Sequence, residues 1–434
     1  MLKKMISFIP FYALIFIAGM IIYNHNNDFP YFYHTTEPSK IQQITDHNYN
    51  FNHPLLMLNS ASVAAFVSGA DTDQEKVVAG RTVSAVYAAL TVVVLALCVH
   101  LFAGFAASML SGVFLLLSPK MIGLSHYFKE DPTFLFGIAL SFLAFIMLFR
   151  RKTYLTLIAA AAASAIAASG KYVGLIFLPV GIFICATIDV ANSSAESVTV
   201  RKRIVTFVTV FLTMFVIMNI QVFFSIPQII ERLFPLVSKT AAKSGAGIVA
   251  FTGHGGAQVA RPLAKYCETF FSQTTILIPV LALGYAVFFF ARFKSRTGAE
   301  KLLMAFFFFF TIMLSYGKVA SGNYFLPQEM ITHIFAALAI VNLVSFLSEF
   351  HGKRAAAMLG LIIAAVTVSS AYPFARDSMK QHSPDGDTRK KLVEWIENNS
   401  GRKMSIVCDG YVLLPDMIKR SDKLSSRTDL SATQ

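Results

Sequence analysis

The chain has 434 residues, of which 55% are hydrophobic and only 14% are charged, and its mean hydropathy is +0.60. About a quarter of the residues of a soluble globular protein are charged. This composition therefore excludes a water-soluble globular protein and predicts an integral membrane protein. The net charge of +13 suits anionic lipid head groups, and we expect no nucleic-acid partner.

Apolar segments of the length that crosses a bilayer, about 20 residues, recur along the chain. The segment at 5–23 follows Lys3 and Lys4, but no small-residue cleavage site follows it, so we predict a retained first helix rather than a signal peptide. The pattern predicts an all-α polytopic membrane protein with about eleven transmembrane helices, near 5–23, 82–101, 103–122, 132–149, 153–168, 171–188, 204–224, 273–291, 302–317, 325–347 and 355–372.

Basic residues are concentrated in alternate short loops, at 150–152, 201–203, 292–296 and 353–354. Cytoplasmic loops carry such an excess of lysine and arginine, so we place these loops and the N-terminus in the cytoplasm. The loops at 24–81 and 225–272 and the chain from residue 373 onward are then extracytoplasmic.

This predicted topology divides the chain into two parts. Residues 1–372 form a transmembrane body with the two long outer loops, and residues 373–434 form a small extracytoplasmic α/β tail with an amphipathic helix at 387–399 and a short strand at 404–408. The loop at 225–272 is rich in glycine and is either a connector or a lid over a lipid-facing cavity. A disulfide between Cys267 and Cys408, both predicted outside, stays open because spacing does not show pairing.

The informative residues are carboxylates in the predicted outer loops. Glu37 lies in the first loop, and Glu130 and Asp131 lie in the short turn at 126–132. Ionisable groups at the membrane boundary are costly and often functional. A carboxylate there can take a proton from an acceptor hydroxyl or hold a divalent cation. The alternative is that Asp131 and Pro132 merely begin a helix, because Asp is a good cap and Pro suits the first turn.

Several short motifs follow one another along the chain: Thr36-Glu37, HPLL at 53–56, Arg81, KEDP at 129–132, KYVG at 171–174 and NYFLP at 323–327. Their order resembles that of the C-type membrane glycosyltransferases, which include the protein O-mannosyltransferases and the lipid A aminoarabinose transferase. Their first outer loop has an Asp-Glu pair and then a His-Pro-Pro-Leu-like segment, where this chain has Thr36-Glu37 and the sequence HPLL. Four later motifs are similar as well: an arginine opening the second helix, an acidic second outer turn, a Lys-Tyr-x-Gly turn, and a segment like Arg-Tyr-x-Leu-Pro. They correspond here to Arg81, KEDP at 129–132, KYVG at 171–174 and NYFLP at 323–327.

The resemblance implies a GT-C-like fold and an inverting transfer of a sugar from a polyprenyl-phosphate donor to a glycan, lipid or protein acceptor. The reaction would take place on the extracytoplasmic face of the plasma (inner) membrane. It implies candidate catalytic carboxylates in the order Glu37, Asp131 and Glu130, phosphate-binding cations at Arg81, Lys129 and Lys171, and supporting residues at His53, His126 and Tyr324. A divalent metal ion, if one is used, is expected at Glu37 and Asp131.

Two positions depart from the family pattern. Thr36 replaces the family's Asp, which leaves Glu37 as the single acid of that pair, and Asn323 replaces the Arg of the late motif, where Lys318 is a possible substitute. A catalytically inactive relative therefore stays open, as does a transporter or flippase for a lipid-linked glycan. A flippase needs a polar pathway, whereas the helices between 82 and 224 carry few charges in their centres.

The predicted sidedness can be tested at the tail. In a variant that keeps only Cys408 of the four cysteines, we expect a membrane-impermeant maleimide to label Cys408 in intact cells. Ser194→Cys, placed in a predicted cytoplasmic loop of a cysteine-free chain, should react only after permeabilisation. Labelling of Cys408 only after permeabilisation would reverse the topology and the expected side of the site.

Overall fold

A computed structural model describes residues 7–29, 34, 36–191, 198–221, 264, 267–268, 271, 274–315, 322–381, 383 and 388–399. The regular elements of this part of the chain are helices, with one isolated β-bridge between Thr153 and Ala191. The tail strand predicted at 404–408, Cys408, Lys318 and most of the loop at 225–272 lie outside the described residues.

The first helices are α1 (Ile9–Tyr23), α2 (Glu37–Asp46), α3 (Leu56–Ser68), α4 (Asp73–Ala103), α5 (Phe105–Leu116), α6 (Pro119–Ser125), α7 (Asp131–Arg151) and α8 (Tyr154–Gly170). A 3₁₀ helix (Tyr172–Ile176) leads into α9 (Phe177–Thr187), and α10 (Val200–Met218), α11 (Leu277–Ala291), α12 (Gly298–Ser315), α13 (Leu326–His351), α14 (Lys353–Lys380) and α15 (Thr388–Asn399) follow.

Each of the predicted apolar segments overlaps a helix or a helix pair of the described chain. Four of the described helices, α4, α7, α13 and α14, are long and apolar enough to cross a membrane, and the pair α5–α6, bent by 58°, is a fifth if it forms one span. These helices and the composition make the chain an integral multi-pass membrane protein. The count of about eleven spans and the orientation remain predictions.

Two helices extend well beyond their predicted ends. Helix α4 begins at Asp73 because Thr72 and Glu75 form a capping box, which the apolar pattern does not reveal. Helix α14 continues through Pro373 to Lys380, and the Ser378 hydroxyl donates to the Pro119 carbonyl at 2.9 Å. The predicted junction at residue 373 therefore lies inside a helix that packs on α6.

The centre of the bundle is the antiparallel pair α7 and α8, which also packs against α4 and α10. Glycines let the two backbones touch: a Cβ on Gly137 would lie 2.3 Å from the Ala167 Cα, and one on Gly170 would lie 2.6 Å from the Phe134 Cα. Small residues at a contact allow close packing of membrane helices. The alanine-rich sequence of α8 thus places Asp131, where α7 begins, beside Lys171, which follows α8.

Connectivity assigns the helix ends to two sides of the bundle. The first residues of α7, the residue that follows α8 and the residues just before α13 share one side, because Asp131 pairs with Lys171 and the Lys171 ammonium lies 5.6 Å from the Tyr324 ring. The basic clusters at 150–152, 201–203, 292–296 and 353–354 follow or precede the opposite helix ends. The candidate site residues and these basic loops therefore lie at opposite ends of the helices.

We expect Gly137→Ala to destabilise the protein, since the new methyl group would meet the α8 backbone and overpacking costs about 1–3 kcal/mol. Gly284→Ala is the matched control, because a Cβ there has no atom within 4 Å and alanine favours a helix over glycine by up to about 1 kcal/mol. Unfolding in detergent measures both variants. Equal stability of the two would contradict the close α7–α8 packing.

Candidate active site

The first predicted outer loop contains a short helix that brings charged groups to the site. Helix α2 begins at Glu37 with Pro38 in its first turn, a residue that suits this position because its missing N–H is not needed there. Glu37 and Lys40 are three residues apart and thus share a face. Both are buried, and both contact the 126–130 turn.

Glu37 and Arg81 form a fully buried, two-pronged ion pair. The Arg81 Nε donates to Glu37 Oε1 at 3.0 Å, and Nη2 donates to Oε2 at 2.5 Å. The other guanidinium nitrogen donates to the Asn27 and Phe29 carbonyls, and the Phe128 N–H donates to Glu37 Oε1 at 2.9 Å. This pair therefore ties the segment that follows α1, the start of α2, helix α4 and the 126–130 turn together.

Lys40 and Glu130 form a second buried ion pair. The Lys40 Nζ lies 2.8 Å from Glu130 Oε1 and donates to the Phe128 carbonyl at 2.5 Å. Burial raises the pKa of Glu130, but the charges of Lys40 and His53 and the Lys40 hydrogen bond outweigh it and lower this pKa to about 2. Glu130 is thus held as an anion that is a weak base at neutral pH.

A third pair joins Asp131 to Lys171, with Nζ 2.6 Å from Oδ1. Burial lowers the pKa of Lys171, but the neighbouring Asp131 carboxylate more than offsets this and raises it above the ordinary value. The Lys171 ammonium also lies 5.6 Å from the centre of the Tyr324 ring, within reach of a cation–π contact. Lys171 therefore remains a cation between a carboxylate and an aromatic ring.

These side chains surround a cavity of about 320 Å³, at the lower end of the roughly 300–1,000 Å³ of small-molecule sites. Six of the sequence-predicted residues line it: His53, Lys129, Glu130, Asp131, Lys171 and Tyr324. The other lining residues are Thr36, Ser39, Lys40, Gln43, Asn50, Asn52 and Leu58.

Three predicted site residues are not among those that line the cavity. Glu37 and Arg81 are 0% exposed and use each other and backbone groups as partners. His126 is also buried, with Nδ1 2.6 Å from the Ile122 carbonyl oxygen. The six lining residues therefore face the cavity, whereas the side chains of these three are enclosed by protein.

Burial and nearby positive charges lower the pKa of two further groups in the cavity, His53 and Lys129. Desolvation lowers the pKa of His53, and Lys171 and Lys40 lower it further, although Glu130 and Asp131 oppose this. Burial likewise lowers the pKa of Lys129, and Asp131 opposes this shift while Lys40 and Lys171 reinforce it. An anion that enters the cavity would relieve this crowding of cations.

Each carboxylate of the suggested metal pair has a basic side chain as its partner. Glu37 has Arg81 as its partner and Asp131 has Lys171. Within the described part of the chain, no group of three or more His, Cys, Asp or Glu side chains is arranged to hold a metal ion.

Two contributors to the site were missed by the sequence analysis. Lys40 could have been found from its spacing, since it follows Glu37 by nearly one helical turn. Asn219, which ends α10, carried no such signal. Its side chain accepts the Leu55 N–H at 2.7 Å and donates to the Ser169 hydroxyl at 2.9 Å, which fixes the segment that carries His53.

Comparison with known proteins agrees with the resemblance inferred from the motifs. Residues 63–237, less than half of the chain, match the dolichyl-phosphate-mannose-protein mannosyltransferase family. This range includes Arg81, the 126–131 turn and Lys171, but not Glu37. No curated protein sequence matches the chain.

Solved structures share the fold at low sequence identity. ArnT from Cupriavidus metallidurans bound to undecaprenyl phosphate is 14% identical with a TM-score of 0.56, over 92% of this chain and 83% of that one. Its apo form is 13% identical with a TM-score of 0.57, over 93% and 83%. The Archaeoglobus fulgidus oligosaccharyltransferase is 12% identical with a TM-score of 0.53, over 88% of this chain and 59% of that one. The expected GT-C-like fold is confirmed.

We expect Glu37→Gln to destabilise the protein strongly, because it leaves the buried Arg81 charge without its counter-ion, and breaking a buried pair costs about 3–5 kcal/mol. The control is Glu349→Gln on an exposed site, where the change should stay within about 0.5 kcal/mol. Denaturation in detergent gives both values. A Glu37→Gln protein as stable as the control would show that this pair does not hold the site together.

Proposed function

We propose that this chain is a membrane glycosyltransferase that moves a sugar from a polyprenyl-phosphate donor to an acceptor on the extracytoplasmic face of the plasma membrane. The observation that carries the proposal is the cavity in which Lys129 and Lys171 lie beside Asp131 and Glu130. The family match over residues 63–237 and the likeness to ArnT bound to undecaprenyl phosphate support it. The position of the basic loops at the other ends of the helices supports the outer side.

The lysines of the cavity are suited to the donor phosphate. Three lysines and two carboxylates line it among the described residues, which leaves one positive charge in excess for a phosphodiester. As the bond between the sugar and the phosphate breaks, negative charge grows on the phosphate, and fixed cations stabilise that charge most in the transition state. We assign this role to Lys129 and Lys171, with Lys40 nearby.

Asp131 is the base that takes the acceptor proton in this proposal. Glu130 is held by Lys40 with a pKa near 2, and Glu37 is buried behind the cavity wall. Asp131 shares Lys171 with the incoming phosphate. When Lys171 turns toward the phosphate, the Asp131 carboxylate oxygen that it occupied becomes available to accept the hydrogen of the acceptor hydroxyl.

The proposed reaction is a single displacement at the anomeric carbon. The acceptor hydroxyl gives its proton to Asp131 while its oxygen bonds to the anomeric carbon. The bond from that carbon to the phosphate oxygen breaks, and its electron pair leaves with the carrier phosphate. Attack from the side opposite the phosphate inverts the anomeric centre. Glu37 and Arg81 act as positioning residues, because they hold the 126–130 turn that precedes Asp131.

The presence of threonine at position 36 favours a second candidate function. In this alternative the protein is an inactive relative that binds the donor lipid without transferring its sugar. Thr36 lines the cavity at the position where the resembling family has an Asp. An inactive relative predicts carrier binding with no sugar transfer by the purified protein, and a gain of transfer in Thr36→Asp.

We expect Asp131→Asn to reduce sugar transfer about a hundredfold or more, because asparagine cannot take the proton. Carrier binding should be at least as tight as in wild type, because the phosphate no longer competes with a carboxylate for Lys171. Lys171→Met should weaken both carrier binding and turnover, since its partner phosphate is present in the ground state as well. The measurements are transfer of labelled sugar and binding of polyprenyl phosphate in reconstituted membranes.

The matched control for the base is Asp46→Asn, an exposed position at the end of α2 that should transfer at the wild-type rate. Unfolding in detergent checks that each variant is folded. Transfer by Asp131→Asn at the wild-type rate would remove Asp131 from the mechanism.

A further inference from the structure

One wall of the cavity consists of uncharged side chains that the proposed chemistry does not use. Gln43, Asn50 and Asn52 lie along it and are connected through the backbone. The Gln43 amide nitrogen donates to the Ser39 carbonyl at 3.1 Å and its oxygen accepts the Asn50 N–H at 3.1 Å. The Asn50 side-chain oxygen accepts the Asn52 N–H at 3.0 Å. We call these three residues the amide wall.

The backbone around the amide wall has an uncommon conformation. His47 has φ 52° and Phe51 has φ 50°, and such left-handed angles are rare for bulky residues and cluster at functional sites. Packing holds this conformation: Phe51 is buried, and its carbonyl accepts the Tyr172 hydroxyl at 3.2 Å. Tyr172 directly follows Lys171, so the amide wall is joined to the charged side of the cavity.

The charges of the cavity limit what these amides can bind. Both lining carboxylates already have lysine partners, Glu130 with Lys40 and Asp131 with Lys171, and Lys129 adds a further cation to the lining. An ammonium group on a ligand would find both of these carboxylates already paired with lysines, and would lie near three like charges. Hydroxyl groups, which donate and accept hydrogen bonds, match the amide groups and carry no such penalty.

We infer that the amide wall binds the sugar of the donor, that this sugar is an uncharged pyranose with free hydroxyls, and that the cavity discriminates against sugars bearing an ammonium group. This inference rests on the proposed function, because it concerns the sugar attached to the phosphate at Lys129 and Lys171. It makes Asn50 a specificity-determining residue.

Binding of three ligands by the purified full chain in lipid nanodiscs tests the inference. The ligands are the methyl phosphodiester of the polyprenyl carrier, which has the same phosphate charge as the donor and is called the bare carrier here, the same carrier linked to an uncharged hexose, and the carrier linked to an aminodeoxyhexose. We expect the hexose-linked carrier to bind wild type about tenfold more tightly than the bare carrier, as for one or two added hydrogen bonds. The amino sugar should give no gain over the bare carrier.

Asn50→Asp is the most informative variant, because aspartate keeps the oxygen that accepts the Asn52 N–H and replaces the amide nitrogen with negative charge. It should shift the ratio of amino-sugar to hexose binding about tenfold toward the amino sugar. Asn48→Asp, on an exposed residue outside the cavity lining, is the matched control and should leave this ratio at the wild-type value.

The outcomes separate the inference from the proposed function. If wild type binds the bare carrier but gains no affinity from the hexose, or prefers the amino sugar, only the inference about the amide wall is overturned. An unchanged ratio in Asn50→Asp overturns it as well. Wild type that binds none of the three ligands overturns the proposed function, and the inference fails with it.

Discussion

The arrangement of the site depends on the buried ion pair between Glu37 and Arg81. Taking two charges out of water is costly, and such a pair persists only when its geometry and remaining hydrogen bonds are nearly complete. Here the carboxylate has the guanidinium and the Phe128 N–H as partners, and the guanidinium also reaches two carbonyls near the end of α1. One interaction thus joins four chain segments, and the turn that leads to Asp131 takes its position from it.

The two ion pairs that line the cavity differ in how firmly each carboxylate is held. Lys40 holds Glu130 firmly, whereas Lys171 is shared between Asp131 and the space where an anion would enter. A phosphate competes with Asp131 for the same cation, so in the proposed mechanism binding of the donor frees the carboxylate for the acceptor hydroxyl. The close glycine contacts between α7 and α8 matter here because they keep Asp131 and Lys171 together in the absence of a ligand.

The positions of the helices could be predicted because apolar runs of bilayer length are a direct consequence of the solvent they face. Motif order also predicted that His53, Asp131, Lys171 and Tyr324 belong to one region, and the structure brings them to one cavity. Pairing was not predictable: Glu37 and Arg81 are far apart in the sequence, and either could have faced a ligand. The early start of α4 was visible in Thr72 and Glu75, but an analysis of hydrophobicity alone does not register a capping box.

In the proposed mechanism a carrier phosphate binds in this cavity, between Lys129 and Lys171. The most direct measurement is crosslinking with a polyprenyl phosphate analogue that carries a photoreactive group next to its phosphate, followed by peptide mapping. We expect crosslinks to the segments around residues 129–131, 171–172 and 324, and we expect excess unlabelled polyprenyl phosphate to suppress them. Crosslinks confined to the basic loops at 150–152, 201–203 and 292–296, at the other ends of the helices, would contradict it.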